Sequence, residues 1–345
     1  MRVHVMDLQA GDELEKDVYN DYGLLILSKG TVLDAAAIAK LLHHNIGYVA
    51  TLSGSPLPSG SVPAIANEET NRLFETAYEA VKGLFAQALE KGVVDEAVIE
   101  EAYAPLARNI NCQTDVVSLL LTLNQKDEYT YQHCVQVGMI SYFLAKWSGR
   151  SEADAAMAGK AGYLHDIGKS RIPDSILNKP GKLTEEEFAE IKLHPVYGHE
   201  ILIRSLDSSL PAVAALQHHE RLDGSGYPSG LRGDAIHPIS KIVAIADIYS
   251  AMISSRVYQK ERDLLHVLKE LHRLSFSELD PILTHLFIQK MLPNLIGKQV
   301  VLDSGMTGNI VMTNPTDYFR PLIRVQNEFI DLSQQITVQI EKIYA

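Results

Sequence analysis

The sequence predicts a mainly α protein with a small N-terminal α+β module and a small C-terminal β appendage. Apolar residues recur at helical spacing through most of residues 67–297, whereas short β-like runs lie before and after that region. A stretch rich in serine, glycine and proline, SGSPLPSGSVPA at 53–64, follows the first β-like runs and is typical of a linker. With 345 residues, 46% of them hydrophobic, the chain can bury more than one core.

These patterns divide the chain into five predicted segments. The first includes a helix from about Asp34 to His44, and the third has an apolar stripe that leaves open a pairing with a second subunit. The fourth is interrupted by one turn-rich loop, RLDGSGYPSGLRGD, and the fifth begins with the predicted hairpin KQVVLDSGMTGNIVMTNP. The segments are 1–52, an α+β module of unknown role; 53–66, a linker; 67–126, a helical connector; 127–297, a helical domain; and 298–345, a β appendage.

The composition argues against several classes of protein. A formal net charge of −12 disfavours a general nucleic-acid binder, which needs clustered lysine and arginine, but a small anionic ligand held by local positive charge stays open. The two cysteines, Cys112 and Cys134, lie in predicted helices, which fits a reducing compartment rather than a disulfide framework. The start lacks the apolar core of a signal peptide, and no segment has about 18 uninterrupted apolar residues. We therefore expect a soluble cytoplasmic protein that does not insert in a membrane.

Histidines and aspartates of the helical domain fall on inward-facing stripes or at helix ends. His133 shares a stripe with Val137, Ile140 and Leu144, so it is predicted to face the core. Asp247 interrupts the apolar run KIVAIADIYSAM, where burial of its charge is costly unless a cation or a hydrogen-bond partner compensates it. The other positions lie at helix ends. His165 and Asp166 follow a run of small residues, and His218 and His219 end a helix opened by Pro211. His194 lies between a helix opened by the capping box Thr184–Glu187 and a helix predicted to begin at Pro195.

Each of these residues alone has an ordinary explanation. A single inward histidine is more often a hydrogen-bonded core residue than a ligand, and a histidine pair at a helix C-terminus can simply favour the negative end of the helix dipole. Their convergence in one domain favours a metal centre, because imidazole with carboxylate suits first-row ions such as iron, manganese, cobalt, nickel and zinc. Seven ligands are too many for one open catalytic ion, so we predict two ions with an aspartate between them and a bridging water. The predicted ligands are His133, His165, Asp166, His194, His218, His219 and Asp247.

Four motifs of this region together resemble the HD-GYP family of cyclic dinucleotide phosphodiesterases, a branch of the HD metal-dependent phosphohydrolases. They are HDIGK at 165–169, HP at 194–195, HHERLDGSGYPSGL at 218–231 and IADIYSAMISSRVY at 245–258. The resemblance covers about residues 110–297 and implies an HD-type helical bundle with the metals at its centre, held by the same seven residues. Some members hold a third metal through a glutamate four residues before the first histidine, where this chain has Tyr129. We therefore expect two metals, and iron or manganese fits both the ligands and the resemblance.

The resemblance also implies residues that act on the substrate. Asp166 and Lys169 would be catalytic, and Lys169 would also hold a phosphate oxygen, since Gly168 before it is predicted to end the helix with a positive φ and turn the lysine towards the metals. Arg256 would make a second phosphate contact, with Lys260 as the nearby basic residue. At 257–259 this chain has VYQ where the family usually has proline, tyrosine and a basic residue, so it departs from the pattern there.

The function that the resemblance implies is hydrolysis of cyclic di-GMP to the linear dinucleotide pGpG, and further to GMP, by a metal-activated hydroxide. Cyclic GMP–AMP is the next candidate substrate, and the GYP loop at 226–228 is implied to shape the site and to contact protein partners. Two alternatives stay open. One is an HD-type nucleotide phosphohydrolase, and the other is a slow or inactive sensor that binds a cyclic dinucleotide.

Overall fold

The computed structural model divides the chain into two compact units, residues 1–64 and residues 65–345. The predicted linker at 53–66 and the end of the predicted connector, 111–126, lie outside the described residues. The residues that the structure describes are 2–4, 8, 12–19, 25–33, 37, 41, 46, 48–51, 68–110, 129–253, 264–314, 317–326, 328–335 and 337–344.

The N-terminal unit contains two antiparallel strand pairs in its described part. Its small core includes Leu14, Leu33 and Val49, all of them buried. Only Ala37 and Leu41 are described from the helix predicted near 34–44, and both are helical. The strand pairs are β1 (Arg2–His4) with β4 (Tyr48–Ala50), and β2 (Val18–Tyr19) with β3 (Leu25–Leu27).

The second unit is a bundle of helices followed by a β-sheet, which confirms the predicted fold class. None of the described helices combines the length and the apolar content that crossing a membrane requires. Short 3-10 helices cover Ile167–Arg171, Gly233–Ala235 and Leu292–Leu295. The α-helices are α1 (Glu68–Lys91), α2 (Glu96–Ile110), α3 (Tyr129–Trp147), α4 (Glu152–Leu164), α5 (Asp174–Leu177), α6 (Glu185–Ile191), α7 (His194–Ser205), α8 (Leu210–Gln217), α9 (Pro238–Ile253), α10 (Leu264–Leu274) and α11 (Pro281–Met291).

Helix α3 lies in the middle of the bundle. Every residue from 132 to 145 is buried, which is the pattern of a helix covered on all sides. Small residues allow α4 to approach it closely, because a Cβ added at Gly162 would lie 2.6 Å from Ser141 Oγ and 2.8 Å from the carbonyl oxygen of Val137. The two helices therefore bring His133 of α3 close to the end of α4, where His165 follows.

The α1–α2 hairpin packs on the same bundle. The Tyr163 hydroxyl of α4 donates to the carbonyl oxygen of Ala77 at 2.5 Å, and the ring of Tyr103 stacks on that of Tyr163 with centroids 4.9 Å apart. The ammonium of Lys160, on α4, donates to Glu96 at 2.6 Å. These contacts join the hairpin to the helix that leads into the HDIGK segment.

The apolar stripe of the connector is covered by the protein's own bundle. Phe74, Val81 and Leu84 of α1, together with Leu106 of α2, are buried in the core that also contains α3 and α4. Over residues 68–110 this stripe is therefore not available for the pairing with a second subunit that the sequence left open.

The C-terminal sheet has five strands in the order β8-β7-β6-β5-β9, and all neighbouring strands are antiparallel. The predicted hairpin is confirmed as the β5–β6 pair. Val300, Ile310 and Ile323 are buried in the same hydrophobic core as the helices. The strands are β5 (Gln299–Leu302), β6 (Thr307–Met312), β7 (Leu322–Val325), β8 (Glu328–Asp331) and β9 (Ile340–Tyr344).

Candidate metal centre

The predicted ligands all lie in one cluster inside the bundle. Six of them are buried, and the side chain of His219 is 19% exposed. Each comes from a helix or from the turn beside one. They are His133 on α3, His165 and Asp166 in the turn after α4, His194 at the start of α7, His218 and His219 directly after α8, and Asp247 on α9.

The position of His194 follows from local sequence signals. The capping box is present, because Thr184 Oγ1 accepts from the Glu187 backbone at 3.2 Å and the Glu187 carboxylate accepts from the Thr184 backbone at 2.8 Å. It opens α6, which ends at Ile191, and α7 begins at His194 with Pro195 in its first turn. Both predicted helix starts are therefore confirmed to within one residue.

Three of the histidines share one orientation. Nδ1 lies 2.7 Å from the Gly162 carbonyl in His165, 2.7 Å from the Ile191 carbonyl in His194, and 2.8 Å from the Ala215 carbonyl in His218. A carbonyl oxygen can only accept, so Nδ1 carries a hydrogen in each ring, and Nε2 is the nitrogen that is unprotonated in the neutral form. Each Nε2 faces the centre of the cluster, as in metal-binding histidines whose other ring nitrogen donates to a carbonyl oxygen.

Asp166 lies between two groups of histidines. Its Oδ2 is 3.3 Å from His165 Nε2 and 3.9 Å from His133 Nε2. Its Oδ1 is 3.3 Å from His194 Nε2 and 3.8 Å from His218 Nε2. The carboxylate thus presents one oxygen to each group.

Asp247 is placed across the cluster in a similar way. Its Oδ1 is 2.9 Å from His133 Nε2 and 3.7 Å from His165 Nε2, and its Oδ2 is 4.0 Å from His219 Nδ1. Burial favours its neutral form, but the hydrogen bond and the charge of His133 outweigh that effect and hold the pKa of this carboxyl well below its usual value.

The protonation states suit ligation of a cation. Burial would raise the pKa of Asp166, but His165 and Lys169 beside it hold that pKa well below its usual value, so the carboxyl is ionised. Burial lowers the pKa of His194 to about 4 and that of His219 to about 3, so both imidazoles are neutral at pH 7. Neutral imidazole and ionised carboxylate are the forms that bind metals.

Two buried polar atoms of the cluster show whether a metal ion would fit there. His165 Nε2 and Asp166 Oδ1 are buried and have no hydrogen-bond partner within the part of the chain that the structure describes. Each unpaired buried polar atom costs about 1–3 kcal/mol, and a cation would supply the missing partner. Cys134 also lies nearby, and burial raises the pKa of its thiol well above the usual value, so the thiol is protonated in the metal-free protein and the donors ready for a cation are imidazole and carboxylate. This donor set fits first-row divalent ions.

Lys169 is turned towards the cluster, but not for the predicted reason. Its Nζ lies 2.5 Å from Asp166 Oδ2, and its side chain is 21% exposed. The expected positive φ at Gly168 is wrong, because this residue lies inside the 3-10 helix Ile167–Arg171 and is not among the residues with positive φ. A glycine is needed instead because a Cβ at this position would meet the His194 carbonyl oxygen at 2.0 Å and the Gly198 nitrogen at 2.4 Å.

Gly168→Ala is therefore expected to destabilise the protein by roughly 3 kcal/mol, since the added methyl meets backbone atoms that cannot move independently. Denaturant unfolding of the metal-free protein measures this change. The matched control is Gly83→Ala in α1, where no atom lies within 4 Å of the added Cβ. That control should be neutral or gain up to about 1 kcal/mol. Equal stability of the two variants would contradict the close approach of the HDIGK segment to α7.

Comparisons with known proteins agree with this geometry. Residues 119–283 match the protein family described as HD domain. A cyclic di-GMP phosphodiesterase of Pseudomonas aeruginosa is 32% identical over 275 residues, which cover 78% of this chain and 66% of that protein. A solved structure of a protein from Bdellovibrio bacteriovorus, described as an HDG"Y"P protein, superposes with a TM-score of 0.53 at 17% identity, covering 83% of this chain and 97% of that one. This chain belongs to the HD domain family.

A second relative, a cyclic di-GMP phosphodiesterase of Thermotoga maritima, is 41% identical over 178 residues. The match covers 51% of this chain and 48% of that protein. The chain thus spans about two thirds or less of the length of these curated relatives.

The loop that carries the GYP sequence of the HD-GYP family forms one wall of the cluster. The buried Glu220 carboxylate accepts from the backbone nitrogens of Ser229 at 2.7 Å and Leu231 at 2.9 Å, and so closes the loop. The ring of Tyr227 stacks on that of His219, with centroids 4.6 Å apart and planes 24° apart. The loop therefore restrains His219, one of the predicted ligands. It lies beside the site, as the resemblance implied.

Two predicted substrate contacts, Arg256 and Lys260, lie outside the described residues. The sequence reasoning also missed two buried polar residues, Gln136 and Ser250, which contact each other, and Ser250 also contacts His133. A signal for them was available, since each lies three residues after a predicted ligand on the same helix and hence on the same face.

Proposed function

We propose that the protein is a metal-dependent phosphodiesterase that hydrolyses cyclic di-GMP with two divalent first-row ions. The observation that carries the proposal is the position of Asp166, whose two oxygens face separate groups of buried imidazoles. The relatives from P. aeruginosa and T. maritima, which are cyclic di-GMP phosphodiesterases by name, support the choice of substrate.

The cluster offers two sets of donors. One ion would be held by His133, His165 and Asp247, and the other by His194, His218 and His219, whose donor atoms in each set lie within 4.8 Å of one another. Asp166 would serve both, with Oδ2 towards the first set and Oδ1 towards the second. When bound, such a pair of ions lowers the pKa of water towards neutrality and so supplies a nucleophile without a strong side-chain base.

Lys169 would act on the substrate. The attraction of Asp166 outweighs burial and raises the pKa of the ammonium, so the side chain is charged at neutral pH. Its Nζ is held beside Asp166 Oδ2, at the edge of the donor set. From there the ammonium can neutralise charge that develops on a non-bridging phosphate oxygen.

The overall reaction consumes one water molecule per bond. The oxygen of water bonds to phosphorus, the bond from phosphorus to one ribose 3′ oxygen breaks, and a proton leaves with that oxygen as the new hydroxyl. The product of the first cleavage is pGpG, and the same chemistry on its remaining diester gives GMP.

Anaerobic purification with iron or manganese, elemental analysis and chromatography of the products test the proposal. We expect about two ions per chain and conversion of cyclic di-GMP to pGpG, with cyclic GMP–AMP as a slower substrate. Hydrolysis of mononucleotides with no action on cyclic dinucleotides would assign the chain to the nucleotide phosphohydrolases instead. Tight binding of cyclic di-GMP without turnover in metal-replete protein would make it a sensor.

A further inference from the structure

His133 is held differently from the three histidines that donate to main-chain carbonyls. Its Nδ1 lies 3.0 Å from the hydroxyl oxygen of Ser250, which is 117 residues away along the chain on α9. The difference has a structural cause. His133 lies within α3, where carbonyls are engaged in helix hydrogen bonds, whereas His165, His194 and His218 lie at helix ends. A side-chain acceptor therefore takes the place of the main-chain carbonyl.

The hydroxyl of Ser250 is itself oriented by Gln136. Ser250 Oγ donates to Gln136 Oε1 at 3.0 Å, and His133, Ser250 and Gln136 are 3%, 0% and 2% exposed. An amide oxygen can only accept, so the hydroxyl hydrogen is directed to Gln136 and a lone pair of Oγ is left for His133. The acceptor for Nδ1–H is thus fixed by two helices, because Gln136 belongs to α3 and Ser250 to α9.

We propose that Ser250, oriented by Gln136, is a positioning residue that keeps His133 protonated on Nδ1 and unprotonated on Nε2. The inference rests on the proposed function, since it needs a cation in the cluster. Without a cation, Nε2 lies 2.9 Å from Asp247 Oδ1 and can hydrogen-bond to that carboxylate oxygen only as a donor. A cation bound between these two atoms would take the place of the Nε2 hydrogen, and the hydrogen that Ser250 holds on Nδ1 is then the one that His133 keeps.

Metal binding alone tests the inference. Metal-free protein is titrated with Zn²⁺ in a calorimeter, with no substrate present. Ser250→Ala should bind one of the two ions about 10–100-fold more weakly than the wild type, the usual effect of losing a contact behind a ligand. The matched control is Ser275→Ala, which removes a buried serine hydroxyl 3.2 Å from the ring of His285, a histidine outside the cluster. The control should bind Zn²⁺ as the wild type does.

The role of Gln136 is tested by a double-mutant cycle. Gln136→Met alone should weaken binding in the same direction, and it should add little in the Ser250→Ala background, because the relay is already broken. Gln136→Met also carries the test if Ser250→Ala does not fold. Equal Zn²⁺ affinity in the wild type and in the folded variants would overturn the inference while leaving the proposed function intact. Failure of the wild type to bind Zn²⁺ would overturn both.

Histidine-selective nitrogen NMR of the zinc-loaded protein gives a signature that a merely structural role would not produce. In the wild type, His133 should show a hydrogen directly bonded to Nδ1, and in Ser250→Ala this hydrogen should exchange faster with water. A hydrogen on Nε2 of His133 in the zinc-loaded wild type would rule the positioning role out.

Discussion

Asp166→Asn is expected to lower kcat for cyclic di-GMP by at least about a thousandfold, which corresponds to about 4 kcal/mol of transition-state stabilisation. The amide keeps the size of the side chain but removes the negative charge that both groups of imidazoles face. At least one of the proposed ions should therefore be lost. Steady-state kinetics and elemental analysis of the same preparation measure the two effects.

The control for this variant is Asp303→Asn, which removes the same charge from an exposed position in the turn after β5. Its metal content and its kcat should equal those of the wild type. An Asp166→Asn protein that kept two ions and full activity would show that this carboxylate does not join the two donor sets.

Lys169→Gln is expected to separate catalysis from metal binding. Loss of the ammonium should lower kcat/KM by about 100-fold or more, because a charge aimed at the phosphate oxygens is removed. Metal affinity should stay the same or increase, since in the metal-free protein the lysine competes for Asp166 Oδ2 at 2.5 Å. Product chromatography and calorimetric titration with Mn²⁺ measure the two quantities.

Lys269→Gln on the exposed face of α10 serves as the control, with unchanged kcat/KM and unchanged metal affinity. If Lys169→Gln lost its metals together with its activity, the lysine would be required to hold the centre together, and its assignment to the substrate would be wrong.

Much of the candidate site could be predicted from the sequence because its residues sit on regular elements. The helical stripe of α3 places His133 inward. The capping box sets where α6 begins, and Pro195 lies in the first turn of α7, which places His194 at the start of that helix. Both signals are local, so periodicity and terminal chemistry are enough to find them. Because seven positions of this kind fall in one domain, the sequence also predicted that their side chains meet at one site.

The features that sequence reasoning missed or misjudged depend on distant contacts. Ser250 looks like any helical serine until α9 is packed against α3, and Gly168 looks like a helix terminator until α7 is placed against it. The apolar stripe of α1 has the same pattern whether the bundle or a second subunit covers it. In the C-terminal sheet, β9 pairs with β5 from more than thirty residues away, which no local alternation could reveal.

The contact between α4 and the α1–α2 hairpin determines where the HD region can be separated from the rest of the chain. Tyr163 anchors on Ala77 and stacks on Tyr103 only two residues before His165. A fragment trimmed at residue 127, where the predicted helical domain begins, would lose these supports and expose the buried ring of Tyr163 to water. The smallest piece that keeps the scaffold of the centre whole therefore starts ahead of Glu68, well upstream of any residue that touches the chemistry.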